Sequence, residues 1–233
     1  MDIFGIPIDN LTRTAMLARA KEFLAKPRFH RIATVNPEFL LRAEKDTVFR
    51  KTILDADLRV ADGFGIVLAG WLRGRHITRF PGADLMEAII RIANDRGLLV
   101  YLATRKDGLS SFQEVKLALL KKYPNIKIEG SEFDSKSYKL PTTNCQFILC
   151  NFGAPQQEIF LDSLKNQKSI RLAMGVGGSF DYLTGKIKRA PEWMRASGLE
   201  WLWRLMLQPK RFTRIWNAVI VFPFRVFFAT MNK

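Results

Sequence analysis

The chain has 233 residues, 48% apolar and 25% charged, long enough to bury a sizeable core and too apolar for a disordered protein. Its 37 Lys and Arg against 22 Asp and Glu leave a net charge of +15, which implies an acidic partner: nucleic acid, an anionic membrane surface or phosphorylated ligands. Two cysteines, Cys145 and Cys150 in CQFILC, have neither metal-site nor disulfide-framework spacing and read as reduced thiols in a buried strand.

The opening MDIFGIPIDN lacks the basic start and long apolar core of a signal peptide. Helical spacing then runs through 11–25, with Asn10 as the expected cap, and an apolar run at 31–35, RIATV, reads as a strand. A second strand is expected at 57–61 and a helix at 83–97 closing on Gly97. Strand 98–103, a helix over 107–123 opening on Asp107, and strands at 126–130, 145–150 and 171–177 complete the series. Strands alternating with helices predict an α/β fold: a Rossmann-like, largely parallel sheet with helices on both faces. Such sheets bind ligands beyond the carboxyl ends of their strands.

Composition shifts near residue 190, which divides the chain into an α/β domain, 1–190, and a basic, aromatic helical appendage, 191–233. The appendage carries Arg195, Arg204, Lys210, Arg211, Arg214, Arg225 and Lys233 against only Glu192 and Glu200, and four of the five tryptophans. Its end, 217–231, is apolar but interrupted by Pro223 and Arg225, and no stretch is expected to reach the roughly 18 apolar residues of a membrane span. Aromatic residues beside basic ones suit a segment lying in the headgroup region, or a helix packed on the domain.

Four stretches fall where strand ends should lie. In ATVNPEFL, 33–40, Thr34 and Asn36 close a strand before Pro37; they either hold a sugar or phosphate, or Asn36 simply caps the next helix. In RVADGFGIV, 59–67, Asp62 precedes two glycines; it caps the following helix, serves as a general base, or does both. In NFGAPQQEIF, 151–160, Glu158 is explained by the helix dipole, whereas Gln157 has less obvious structural purpose. GVGG at 175–178 is part of a dinucleotide fingerprint without its remainder, and Asp181 just after it is a site acid or a helix residue. Asp55 and Asp57 have D-x-D spacing but precede their strand, so metal binding is not expected there. His30 and His76 stand alone, and neither a nucleophile elbow nor a Walker A loop occurs.

In this order, TVNPEF, ADGFGIV, RFPGADL, GAPQQE, GVGGSFDYLTGKIKRAP and GLEWLWRL span nearly the whole chain, and together they resemble the WecG/TagA/CpsF family of bacterial glycosyltransferases. The resemblance implies an inverting enzyme working at the inner face of the membrane. It would move N-acetylmannosamine or its uronic acid from a UDP donor to a polyprenyl-diphosphate-linked N-acetylglucosamine, in cell-surface polysaccharide synthesis. It further implies Asp62 as base, substrate contacts from Thr34, Asn36, Gln157, Arg204, Arg211 and Arg214, and no metal or cofactor. Many members have a Lys where this chain has Gln156, which removes one positive charge from that loop.

A positioned carboxylate that takes a sugar hydroxyl's proton contributes about 10²–10⁴-fold, and fixed arginines can meet charge on a departing diphosphate. The expected partners are therefore the UDP-sugar donor, the lipid-linked acceptor and an anionic membrane surface, with no nucleic acid; a homo-oligomer is left open. Another hexose or uronic acid donor is the alternative, and Arg79 and Lys186 are candidates for reading a donor carboxylate. A basic nucleic-acid-binding module is a distant rival that leaves Asp62, Gln157 and the glycine turns unexplained.

Overall fold

The computed structural model describes residues 1–134 and 139–231, so Lys233 of the basic tail lies outside the described residues. In chain order the elements are a hairpin of β1 (Asp2–Ile3) and β2 (Ile6–Pro7), α1 (Arg13–Ala25), β3 (His30–Val35), α2 (Pro37–Ala43), α3 (Thr47–Leu54), β4 (Leu58–Ala61), α4 (Phe64–Trp71) and α5 (Gly82–Asp95). Then come β5 (Leu99–Arg105), α6 (Phe112–Lys122), β6 (Lys127–Phe133), β7 (Phe147–Cys150), α7 (Gln156–Ser163), β8 (Leu172–Gly175) and α8 (Ser179–Leu183). The tail forms α9 (Glu192–Ala196), α10 (Glu200–Leu207), a 3₁₀ turn at Pro209–Arg211, α11 (Phe212–Trp216), a π turn at Asn217–Val221 and α12 (Phe222–Met231).

Six strands form one parallel sheet in the order β4-β3-β8-β7-β5-β6. Alternate residues along each strand feed opposite cores, as the period of two requires. Ile32, Val60, Leu102, Leu149 and Met174 meet α1, α5 and α6 on one face. On the other, Ala33, Val35 and Ala61 meet α2, α3, α4 and the hairpin, while Ile148, Cys150 and Ala173 meet α7. Cys145 and Cys150 are buried and unpaired with each other, and burial raises both thiols above their usual range. The expected α/β fold, with helices on both faces of a parallel sheet, is therefore observed.

Two helix starts differ from expectation. Asn10 does not cap α1; Thr12 does, accepting from Ala15 N at 3.2 Å, while Asn10 bridges His76 O and Thr78 N across to a distant loop. Nor does Asp107 open α6: Ser111 does, in a capping box with Glu114, and Asp107 pairs with Arg105 instead. The Ser-x-x-Glu spacing wins because it satisfies two orphan donors at once. Ser111→Ala is expected to destabilise the fold by about 1 kcal/mol, lowering Tm by roughly 2–4 °C in a thermal melt.

The tail also differs. Pro209–Met231 forms one continuous helix of 23 residues, long and apolar enough by length and composition to cross a membrane. Pro223 does not interrupt it: the residue sits in the first turn of α12 directly after the π turn, where the helix is already widened. This helix nevertheless lies on the domain. Phe222 and Val226 are fully buried in the same core as Ile3, Ile6 and Ile66, and Phe4 packs edge-on against Phe222. Its other side leaves Phe212, Trp216, Phe224 and Phe228 exposed.

Candidate active site

A cleft of about 720 Å³ opens over the carboxyl ends of the strands. Thr34 near the end of β3 and Asn36 just after it, Asp62 after β4, Asn151 and Gln157 after β7, and Gly177 and Gly178 after β8 all line it. The tail closes the opposite side with Arg204, Arg211, Arg214, Ile215 and Val219. All seven site residues expected from the sequence thus meet in one cavity.

Asp62 does not cap the helix that follows it. Gly63 is the N-cap residue of α4 and offers no side-chain bond. The Asp62 carboxylate reaches across instead to the start of α5, where its Oδ1 accepts from Gly82 N at 2.7 Å. A short acceptor there meets one of the orphan donors of α5, and the residue lines the cleft. Burial holds the Asp62 carboxyl above the usual carboxylate range, and the charge of Glu200 adds to this; the Gly82 bond, Arg204 and Arg79 oppose it. An acid raised in this way holds a proton more readily than a free carboxylate does.

Asn36 caps α2, its Oδ1 accepting from Phe39 N at 3.1 Å. This consumes the acceptor side of the amide and leaves its N–H₂ available to the cleft. Thr34 is buried beside the start of α5, where a side chain on Gly82 would stand 3.6 Å from the Thr34 hydroxyl oxygen.

Gln157 is 3% exposed and stitches two loops together. Its Oε1 accepts from Gly153 N at 3.3 Å and Gly177 N at 3.2 Å, and its Nε2 donates to Glu158 at 2.9 Å. Both glycines have positive φ, 77° and 47°, which a side chain would strain. The glutamine holds the two glycine turns that form the cleft floor. Behind it Glu158 faces Arg31 in a fully buried pair, so that acid is structural, as the dipole argument allowed. Asp181 lines the cleft as well, and accepts from Ser110 Oγ at 2.8 Å.

The three tail arginines are split between two helical segments: Arg204 belongs to α10, while Arg211 in the 3₁₀ turn and Arg214 in α11 share the continuous tail helix. The chain turns at Gln208 and still brings them together. Arg214 is committed to Glu38 of α2 in a bidentate pair, with bonds of 2.6 and 2.9 Å. Arg204 donates to the Tyr182 hydroxyl and lies 5.0 Å from the centroid of its ring. A side chain on Gly178 would stand 4.0 Å from Arg204 Nη2, so its tip hangs over the glycine turn. Among the described residues Arg211 has no side-chain hydrogen bond or ion pair. Burial, then repulsion from Arg204 and Arg214, hold its guanidinium below the usual value. A cation in that position is best satisfied by an added anion.

Of the two candidates for a donor carboxylate, Arg79 lines the cleft. Lys186 does not: its ammonium is held by Glu114 at 2.7 Å and Leu109 O at 2.6 Å. Asp55 and Asp57 lie at the amino end of β4, away from the cleft. Asp55 pairs with Lys51, and Asp57 accepts from Arg31 N at 2.9 Å.

The whole chain, residues 1–233, matches the glycosyl transferase WecG/TagA/CpsF family. The chain belongs to this family. Among its relatives are two proteins named N-acetylglucosaminyldiphosphoundecaprenol N-acetyl-beta-D-mannosaminyltransferase. That of Staphylococcus aureus (strain MRSA252) is 30% identical over 97% of this chain and 91% of its own length. That of Bacillus subtilis (strain 168) is 30% identical over 79% of this chain and 74% of its own length. In this WecG/TagA/CpsF glycosyltransferase an acid, Asp62, and a cationic cluster, Arg204, Arg211 and Arg214, line one strand-end cleft.

Proposed function

We propose that the enzyme transfers N-acetylmannosamine from a UDP donor to a polyprenyl-diphosphate-linked N-acetylglucosamine, with inversion at the anomeric carbon. The observation that carries this reading is the placement of the Asp62 carboxylate and the unpaired Arg211 guanidinium in one cleft; the names of the two relatives supply the sugars. Asp62 takes the proton of the acceptor hydroxyl as its oxygen bonds to the anomeric carbon. The bond to UDP breaks on the opposite face, and UDP leaves with the electron pair. Arg211 and Arg204 meet its diphosphate charge, and no metal or cofactor takes part.

Thr34 and Asn36 would hold sugar hydroxyls, and Gln157 would act through the glycine turns it fixes. Arg214 already has a carboxylate partner, so its part is to dock the tail on α2 and add to the local positive potential. The cleft also has an apolar wall, Phe64 and Leu68 of α4 facing Ile215, Val219 and Pro223 of the tail, which suits the lipid end of the acceptor.

The division of labour follows: residues 1–190 supply the base and sugar site, and 191–233 complete the cleft and meet the membrane. Exposed Phe212, Trp216, Phe224 and Phe228 beside Lys210 and Arg225 would lie against anionic headgroups. In this reading the enzyme works on the cytoplasmic side, peripheral to the membrane. Transfer to a short-chain diphosphate-linked N-acetylglucosamine in EDTA tests the whole reading, with UDP-N-acetylmannosamine and its uronic acid run side by side. Product from the first donor is expected. Product from the uronic acid alone would shift the donor to the acid sugar and give Arg79 a carboxylate to bind. Transfer abolished by EDTA would overturn metal independence, and no product from either donor would overturn the substrate assignment.

A further inference from the structure

The stretches RFPGADL, GKIKRAP and GLEW hold charged residues to which the reaction above gives no role, namely Arg79 and Asp84, Arg189, and Glu200. In the fold these residues meet. Arg189 Nη1 donates to Asp84 Oδ1 at 2.6 Å, and Arg195 Nη1 stands 3.8 Å from the same oxygen. On the other side, Arg189 Nε lies 4.0 Å from Glu200 Oε1, while Arg79 Nη2 lies 3.5 Å from Glu200 Oε2. The Arg79 backbone is held in turn, its carbonyl accepting from Arg13 Nε at 3.0 Å.

We infer that Glu200 is a positioning residue for the base: from the first turn of α10 it fixes Arg79 on the cleft wall and ties the closure of the tail to the surroundings of Asp62. The inference rests on Asp62 being the base.

Two observations support it independently of the reaction. First, Glu200 is the one carboxylate that tail helix α10 supplies to the cleft, and it sits between two guanidinium groups from different parts of the domain. Second, Arg189 Nε and Nη2 are buried and have no hydrogen-bond partner. A buried guanidinium with orphan donors is costly, and the nearest added acceptor is Glu200. Moving 4.0 Å to a bonded separation of about 2.9 Å takes roughly 1 Å of inward travel by α10. The tail is thus one short step from giving Arg189 Nε an acceptor, and an anion that draws Arg79 toward itself would release Glu200 to take that step.

The charged and titratable groups facing Glu200 are Arg79 from the loop before α5, Arg189 from the loop before α9, Arg204 one turn on in α10, Tyr182 from α8 and Asp62 after β4. Removing the Glu200 charge takes a negative neighbour from Asp62 and frees Arg79, and both changes favour the Asp62 anion.

The test is Glu200→Gln, read in two ways. The midpoint of the Asp62 carboxyl is followed by carbon NMR of aspartate-labelled protein without any substrate, its signal assigned by its loss in Asp62→Asn. The acid limb of kcat/KM is then followed in the transfer assay. The midpoint is expected to fall by about 0.5–1 pH unit, the acid limb to move down with it, and kcat to fall several-fold while the Kd for UDP holds. Glu200→Asp, which keeps the charge but draws it back by one methylene, is expected to lie between. An unmoved midpoint in Glu200→Gln, with a melt showing the fold intact, would overturn the inference. Wild type lacking transfer would instead count against the proposed reaction, because the NMR midpoint needs no turnover.

Discussion

Asp62→Asn is expected to lower kcat by about 10²–10⁴-fold while leaving the affinity for UDP within a few-fold. The substitution is a clean one because of where the carboxylate bonds. Asp62 Oδ1 accepts from Gly82 N at 2.7 Å, and the amide oxygen of asparagine can accept the same bond. The start of α5 is therefore preserved, and only the capacity to take a proton is lost. Asp62→Ala, by contrast, would also leave Gly82 N without its acceptor, at a cost of about 1 kcal/mol, so a loss of activity there would mix two causes. UDP affinity should hold because the proposed diphosphate anchors, Arg204 and Arg211, come from the tail. The pH profile supplies the sign. Burial raises the Asp62 carboxyl, the base works only when deprotonated, and kcat/KM should therefore rise with pH through a limb above the ordinary carboxylate range near 3.9. Residual activity in Asp62→Asn should lose that limb. Undiminished turnover would reduce Asp62 to a brace for α5.

Five of the six sheet strands were legible because each is an apolar run buried on both faces, the pattern that a covered parallel sheet demands. The sixth, β6 at the sheet edge, is exposed or half-buried over most of its length and showed only through the short alternation of 126–130. The β1–β2 hairpin was not, since strands of two residues carry no periodicity; its turn shows only as Phe4 and Gly5 at positive φ. Helix ends were misplaced where two capping residues compete within a few positions, and the outcome at Asn10 depended on a loop 66 residues away. For the site, strand ends were enough to gather Thr34, Asn36, Asp62 and Gln157, because topology alone brings those loops to one edge. Partners were not legible. Arg204, Arg211 and Arg214 look equivalent in sequence, yet Glu38, 176 residues from Arg214, takes one of them and Tyr182 another. Only the fold shows which arginine is left for a ligand. Pro223 misled for a related reason: a proline reads as a break unless the π turn before it is known.

The second large effect concerns stability. Arg31→Met is expected to destabilise the protein by about 3–5 kcal/mol, or roughly 10 °C in Tm for a chain of this size. Arg31 is 1% exposed and Glu158 0%, with Arg31 Nη1 3.6 Å from Glu158 Oε2. The guanidinium also donates to Thr52 O and to Asp162 Oδ1 at 3.2 Å. Methionine fills much of the volume but leaves the carboxylate and the Thr52 carbonyl unanswered inside the protein. Glu158 Oε2 already has no hydrogen-bond partner in the wild type, so the pair has little in reserve. Burial raises the Glu158 carboxyl, opposed first by Arg31 and then by Gln157; without Arg31 it rises further. A carboxyl raised in the folded state binds its proton more tightly there than in the unfolded chain, so stability is lost as pH climbs from the unfolded value toward the folded one. The gap between wild type and Arg31→Met should therefore be wider at pH 8 than at pH 5 in urea titrations. A gap independent of pH would assign the loss to the carbonyl and packing contacts of Arg31 instead of its charge. Because Glu158 also accepts from the Gln157 amide that stitches the two glycine turns, the buried pair supports the cleft floor, and kcat in the folded variant should fall with it, with no shift of the acid limb set by Asp62.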